Sequence, residues 1–283
     1  MGRRRIGGLG CRLGAVVGAA LFACATPEPI AWRELAAGLE YATMSLDGRA
    51  SGPDANGSAT LHVVRIDPAH VELRALMASQ LDGKRRTAGQ WCDEFGLKAA
   101  INMGMYQADY RSNVGYARSG DHVNNGHWAS KYKSAIGFRP QHEGLAPARM
   151  VDLDGDADKQ ALDGYATVIQ NLRLIRAPGR NVWSQQDKRW SEAAIATDAE
   201  GRVLLLFIRE PFSMWELNHR LLALPLGIVR AMHVEGGPEA SLSIRAGSLR
   251  LDLAGSFETG FLEDETNLGQ WALPNVIGIG AKR

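Results

Sequence analysis

Short apolar runs with period-two alternation dominate the chain. In the run from 70 to 77, Val71, Leu73 and Ala75 alternate with Glu72 and Arg74, the mark of a strand with one buried face. The run from 59 to 66 precedes it across Asp67-Pro68-Ala69, and the two read as a hairpin. Further strands are expected at 97–101, 134–138, 165–175, 192–197, 202–208, 242–246, 248–253 and 275–280, with turn formers such as Asp198-Ala199-Glu200-Gly201 between them. Helical spacing occurs twice. Ala88, Trp91 and Phe95 follow Thr87 and stop at Gly96, while Ser213-Met214-Trp215-Glu216 has capping-box spacing ahead of Leu217, Leu221 and Leu222. Pro225 closes that second helix because it has no amide hydrogen to continue it. Helices do not regularly interrupt the strands, so a doubly wound sheet is not expected. The expected class is α+β: a mixed, strand-rich domain with curved β-sheets and a few packed helices.

With 283 residues, 45% apolar and 22% charged, the chain can build one large domain or two small ones. A formal charge of +1 gives no reason to expect nucleic acid or an anionic membrane surface as partner. The beginning differs from the rest. Arg3-Arg4-Arg5 precedes a short apolar run from Leu13 to Ala23, a secretory signal pattern too short to span a bilayer. It ends in Leu21-Phe22-Ala23-Cys24, which resembles a bacterial lipobox with lipidation at Cys24; ordinary cleavage and a retained signal anchor are the alternatives. The expected division is 1–25 signal peptide or lipoprotein signal, 26–58 linker and approach to the domain, and 59–283 the domain itself. The expected location is periplasmic or outer-membrane, with membrane contact through the lipid anchor. Cys11 lies in the signal, so lipidation of Cys24 leaves Cys92 without a disulfide partner.

The segment 107–133 is polar and has no period, and a loop of that length in a domain is usually functional or disordered. Tyr106, Tyr110, Tyr116, Trp128 and Tyr132 favour a wall for sugar rings, and Arg111, Lys131 and Lys133 add cations. His122 and His127 lack the spacing of a helical ligand pair. Asp152, Asp154, Asp156 and Asp158 fail the calcium-loop template, because Ala157 and Asp163 stand where Gly and Glu are needed. They read as a solvated acidic loop, and Lys84-Arg85-Arg86 as a solvated basic one. No metal site or cofactor is assigned, with a divalent metal left open.

Two glycine-containing stretches carry the chemistry. In Ala231-Met232-His233-Val234-Glu235-Gly236-Gly237-Pro238-Glu239, an apolar run delivers a carboxylate to two glycines and a proline, a tight turn at a strand end. In Ala99-Ala100-Ile101-Asn102-Met103-Gly104-Met105-Tyr106, a buried run ends in an amide, which both donates and accepts. The first resembles the Leu-Asp-Gly-Gly signature of the phosphodiester glycosidase family, with Glu235 in place of its aspartate and Glu239 where relatives often have serine. The second resembles that family's Asn-Gly/Ala-Gly-aromatic signature. Ser191-Glu192 departs from the arginine that much of the family has before the corresponding strand. The resemblance spans 95–280 and implies an exported hydrolase cleaving a sugar-1-phosphodiester or related glycosidic bond in envelope or extracellular glycans. By the same resemblance Glu235 is the catalytic carboxylate, while Glu239 is a second catalytic carboxylate or merely exposed. Asn102, Gly104, Tyr106, Arg111, Lys131, Lys133, Gln170, Gly236 and Gly237 bind the carbohydrate or glycosyl phosphate. The alternative is a glycan-binding module of the cell envelope that catalyses nothing.

Overall fold

The computed structural model describes residues 1–2, 30–46 and 59–282. Cys24 with its apolar run, and the turn-rich stretch 47–57, lie outside the described residues. Three sheets organise the chain, and every named strand pair among the described residues is antiparallel. The first has eight strands, in the spatial order Arg33–Ala36, Leu39–Ser45, Thr60–Ile66, Val203–Phe212, Trp190–Asp198, Ile228–Gly236, Arg173–Arg176 and Arg180–Asn181. The second runs His122–Asn125, Ala117–Ser119, Tyr165–Asn171, Ser134–Pro140, Ala148–Asp152; the third runs Leu249–Ala254, Ser241–Ala246, Ala99–Asn102, Asn275–Ala281, Val71–Met77.

One central core collects Val64, Leu73, Ile101, Ile136, Ile169, Phe207 and Val234, so all three sheets contribute to it. The run Val203–Ile208 is apolar throughout because both its faces are covered. Leu205 and Phe207 point into the central core, while Leu204 and Leu206 pack with Met214, Leu217 and Leu221 of the helix Met214–Ala223. The helix Ala88–Phe95 begins with a reciprocal capping box between Thr87 and Gln90 and ends at Gly96 with φ +63°. Its Trp91 is fully buried against the third sheet and donates its ring N–H to the Leu273 carbonyl at 3.2 Å.

Against strands this numerous, the α-helices among the described residues are Ala88–Phe95, Asp156–Gln160 and Met214–Ala223. The fold is therefore closer to mostly-β than to a balanced α+β domain. The expected hairpin at 59–77 does not form. Thr60–Ile66 is buried on both faces and takes a central place in the first sheet, whereas Val71–Met77 pairs with Asn275–Ala281 at the edge of the third. Asp67 turns the link between them, accepting from the Ala69 amide at 2.9 Å. Residues 33–45, read as linker and approach, supply two strands to the first sheet. The expected strand 165–175 is split at Leu172 between the second and first sheets, and the long loop contains the hairpin 117–125. Nor is the acidic stretch simply solvated: Asp152 and Asp154 pair with Arg173, Arg176 and Arg230.

Candidate active site

The strand Ile228–Gly236 ends at the junction of the first and third sheets. Against the neighbouring strand, Ala193 faces Glu235 and Ala194 faces His233, so Val234 is one residue more than its partner strand matches. Such a bulge re-aims the side chains beside it. Glu235 is 5% exposed. Its Oε1 accepts from the Gly236 amide at 3.2 Å, while Oε2 is buried without a hydrogen-bond partner among the described residues.

The two glycines are there because other groups press on the turn. A Cβ on Gly236 would stand 2.7 Å from the Trp190 ring, and one on Gly237, whose φ is +61°, would stand 2.5 Å from a Glu258 carboxylate oxygen. Glycine at both positions admits that approach. A short 3-10 turn, Gly237–Glu239, then hands the chain to Ser241–Ala246 of the third sheet.

Four carboxyls meet around this turn. Glu192, opposite Gly236 in the strand register, has His233 Nδ1 at 2.8 and 2.9 Å from its two oxygens and accepts from the Trp190 ring N–H at 2.7 Å. Glu239 accepts from the Tyr106 hydroxyl at 2.6 Å. Burial above all, then the negative charge of Glu239, with Glu258 and Glu192 adding to it, pushes the Glu235 carboxyl well above the ordinary range, against a pull from the Gly236 amide. Burial likewise raises Glu192, where His233 and Trp190 draw it back, and Glu258, where Glu239 adds to the rise and His233 and Lys188 oppose it. Tyr106 is raised by burial and Glu239, with Arg85 opposing, and Tyr132 by burial and the charge of Glu235. A buried acid that keeps its proton, next to other carboxylates, is the arrangement that separates acid and base roles. Among the described residues no three His, Cys, Asp or Glu side chains are grouped to hold a metal ion.

These shifts have a sign in stability. A carboxyl raised on folding binds its proton more tightly in the folded state, so its contribution is complete below the ordinary value near 4.5 and is lost as pH rises through the folded value. In thermal melts the wild type is expected to lose stability from mildly acid to mildly alkaline pH. Glu235→Gln, which cannot ionise, should melt higher than wild type at the alkaline end, and the gap should close as the pH falls to about 4.5.

A family model for phosphodiester glycosidase matches residues 95–280, a span holding both glycine-containing stretches and all four carboxyls. The chain belongs to the phosphodiester glycosidase family. Phosphodiester glycosidase structure is visible in the fold as well. The catalytic domain of zebrafish N-acetylglucosamine-1-phosphodiester α-N-acetylglucosaminidase, auto-inhibited by its pro-peptide, superposes with a TM-score of 0.60 at 12% identity over 87% of this chain and 84% of that one. A hypothetical protein from Synechocystis matches with a TM-score of 0.58 at 13% identity over 90% of this chain and 64% of that one. No curated protein matches by sequence.

In this phosphodiester glycosidase domain the two signatures are fastened to one another. Asn102 is 1% exposed; its Nδ2 donates to the Glu239 carbonyl at 3.0 Å and its Oδ1 accepts from the Ser241 amide at 2.7 Å. The amide expected to hold sugar thus clamps the exit of the Gly236-Gly237 turn. Gly104 lies between Asn113 and Asn171, whose side-chain oxygens would each be 2.5 Å from a Cβ there. Gln170 is spent on the polar segment: it accepts from the amides of Tyr116 and Ala129 and donates to the carbonyls of Ala129 and Tyr132. Tyr116 and Trp128 stack on each other at 4.4 Å, and Tyr106 and Tyr132 are the aromatics of that wall that feel the charge of Glu235.

Arg111, Lys131 and Lys133 are exposed, and their side chains form no ion pair or hydrogen bond among the described residues. Lys133 lines a hollow with Trp128, Tyr132 and Lys159. The cations whose charge reaches the site are instead Arg85, acting on Tyr106, and Lys188, acting on Glu258. Arg85 belongs to the cluster read as a solvated basic loop, whose next residue, Arg86, is 7% exposed and paired with Asp82 and Glu94. His233, Trp190 and Glu258 were not foreseen. The strand pattern held a clue to the first, two residues before Glu235 on the same run, but Trp190 and Glu258 belong to no motif.

Proposed function

We propose that this protein is a hydrolase acting at the anomeric carbon of an envelope or extracellular glycan, with Glu235 as proton donor and Glu239 as the partner carboxylate. The observation behind this reading is the buried Glu235 carboxyl in the family signature, one oxygen unpartnered among the described residues, with other carboxyls gathered around its turn. Membership of a glycosidase family supplies the reaction class. Glu239, oriented by the Tyr106 hydroxyl, takes the proton of the attacking water or steadies the positive charge that develops on the sugar ring. Tyr132 contributes a flat face beside the acid. Export, with a lipid on Cys24, is part of the same proposal and rests on the pattern of residues 1–24.

Purified full-length protein is offered sugar-1-phosphodiesters and O-glycosides of N-acetylglucosamine, glucose and mannose, with released sugar measured. Turnover of any one of them supports hydrolysis. Binding of glycans without release from any, by protein that melts cooperatively, turns the reading to a non-catalytic envelope module.

A further inference from the structure

The groups surrounding the catalytic turn are mostly acidic. Glu192, Glu239 and Glu258 all act on Glu235, and the positively charged groups opposing them stand at the margins. His233 is taken up by Glu192 at 2.8 Å. Arg85 lies over the Tyr110 ring at 4.9 Å and reaches the site through Tyr106, while Lys188 acts on Glu258. Arg230, on the same strand as Glu235, pairs with Asp152 at 2.9 Å, and two further arginines are also committed elsewhere. Arg189 pairs with Glu216 at 3.0 Å, and Arg209 donates to the carbonyls of Ala254, Glu265 and Asn267. Around the turn that carries Glu235, then, stand three further carboxyls: Glu192 opposite Gly236 in the strand register, Glu239 under the Tyr106 hydroxyl at 2.6 Å, and Glu258, whose carboxylate oxygen would lie 2.5 Å from a Cβ on Gly237.

A phosphodiester bears a full negative charge beside the bond to be cleaved, and its phosphate departs without needing a proton. What such a substrate asks of an enzyme is positive charge. An alkyl glycoside asks for the opposite: its alkoxide leaves poorly unless an acid protonates the glycosidic oxygen, and its neutral aglycone is not repelled by carboxylates.

Resting on the hydrolase reading above, we infer that the preferred leaving group is a neutral alcohol, so that the substrate is an O-glycoside rather than a sugar-1-phosphodiester. In this step the carbon–oxygen bond at the anomeric centre breaks and its electron pair goes to the departing oxygen, which takes the Glu235 proton and leaves as an alcohol. The oxygen of a water molecule bonds to the anomeric carbon, and its proton passes to the Glu239 carboxylate. Glu235 ends ionised and Glu239 protonated, and proton exchange with solvent restores both.

The test compares matched pairs: methyl glycosides of several sugars and the methyl phosphodiesters of the same sugars, in both anomeric forms, with kcat/KM measured at fixed ionic strength. Nitrophenyl glycosides are avoided because their leaving group departs unaided. Wild type is expected to favour the neutral glycoside by about tenfold or more, the repulsion of one anion by nearby carboxylates in a partly desolvated site being worth at least that. Glu258→Gln, which removes one of those charges, should move the ratio toward the phosphodiester by about tenfold. Equal or faster turnover of the phosphodiester overturns the inference and leaves the hydrolase reading intact. A ratio unmoved in a Glu258→Gln protein that melts like wild type also overturns it. Turnover of neither substrate by folded protein removes the hydrolase reading, and this inference with it.

Discussion

Glu235→Gln is expected to lose about 10²- to 10⁴-fold in kcat on whichever glycosyl substrate the wild type cleaves, the usual worth of a positioned acid or base. The amide keeps the shape of the carboxyl and can still meet the Gly236 amide with its oxygen, but it has no acidic proton to give. Fold and chemistry can be separated in this variant. Burial and neighbouring carboxylates make ionised Glu235 a burden on the folded state, so the variant should melt as high as wild type or higher while its turnover collapses. Steady-state kinetics alongside thermal melts at the same pH give the answer. Undiminished kcat in the variant would move the acid role to Glu258 or Glu239.

The second large effect is expected at Asn102, which touches no reacting atom in the assignment made here. Asn102→Ala strips the buried Ser241 amide of its side-chain partner and leaves the Glu239 carbonyl with the Ser241 hydroxyl at 3.3 Å. Leaving the amide unpaired costs about 2 kcal/mol, readable as a lower urea midpoint with an unchanged slope. Because the clamped carbonyl belongs to Glu239 itself, the loss also frees the backbone beneath a catalytic carboxylate. A misplacement of about an ångström there is worth roughly 10²-fold in kcat, whereas KM should move far less. A variant that retains full kcat despite its lower stability would return Asn102 to a purely architectural role. Asn102→Asp keeps the acceptor for Ser241 but sets another carboxylate near the Glu239 carbonyl, and should be worse than alanine in stability above the carboxylate range.

These two residues also mark how far the sequence could be read. Local signals were reliable wherever a structure is decided locally. Thr87 and Gly96 bracket the helix Ala88–Phe95, and Ser213 opens Met214–Ala223, because caps and left-handed glycines act within one turn of chain. Strand periods located most strands, yet could not say which sheet each strand would join. The run before Asp67 and the run after it look like hairpin partners, and they part because the first is needed between two buried layers and the second at an edge. The partners of amide side chains are hidden for a similar reason. Asn102 and Gln170 are polar residues at strand ends, and nothing nearby in the chain reveals that their partners are backbone groups 137 and 41 residues away. Glu258 reaches the site from a segment without regular pattern and Trp190 from the very start of its strand, both brought there by the room that two glycines leave.

The split at Leu172 joins parts that have so far stood apart. Gln170, the last residue but one of its strand, gathers the aromatic segment through four hydrogen bonds. Two residues later the Leu172 carbonyl accepts from the His233 amide at 2.9 Å, and His233 is the residue that holds Glu192. Three consecutive residues therefore act as a tie rod between the aromatic segment and the imidazole–carboxylate pair beside Glu235. Tyr132 and the Glu192–His233 pair are thus joined by a short path of covalent bonds and hydrogen bonds.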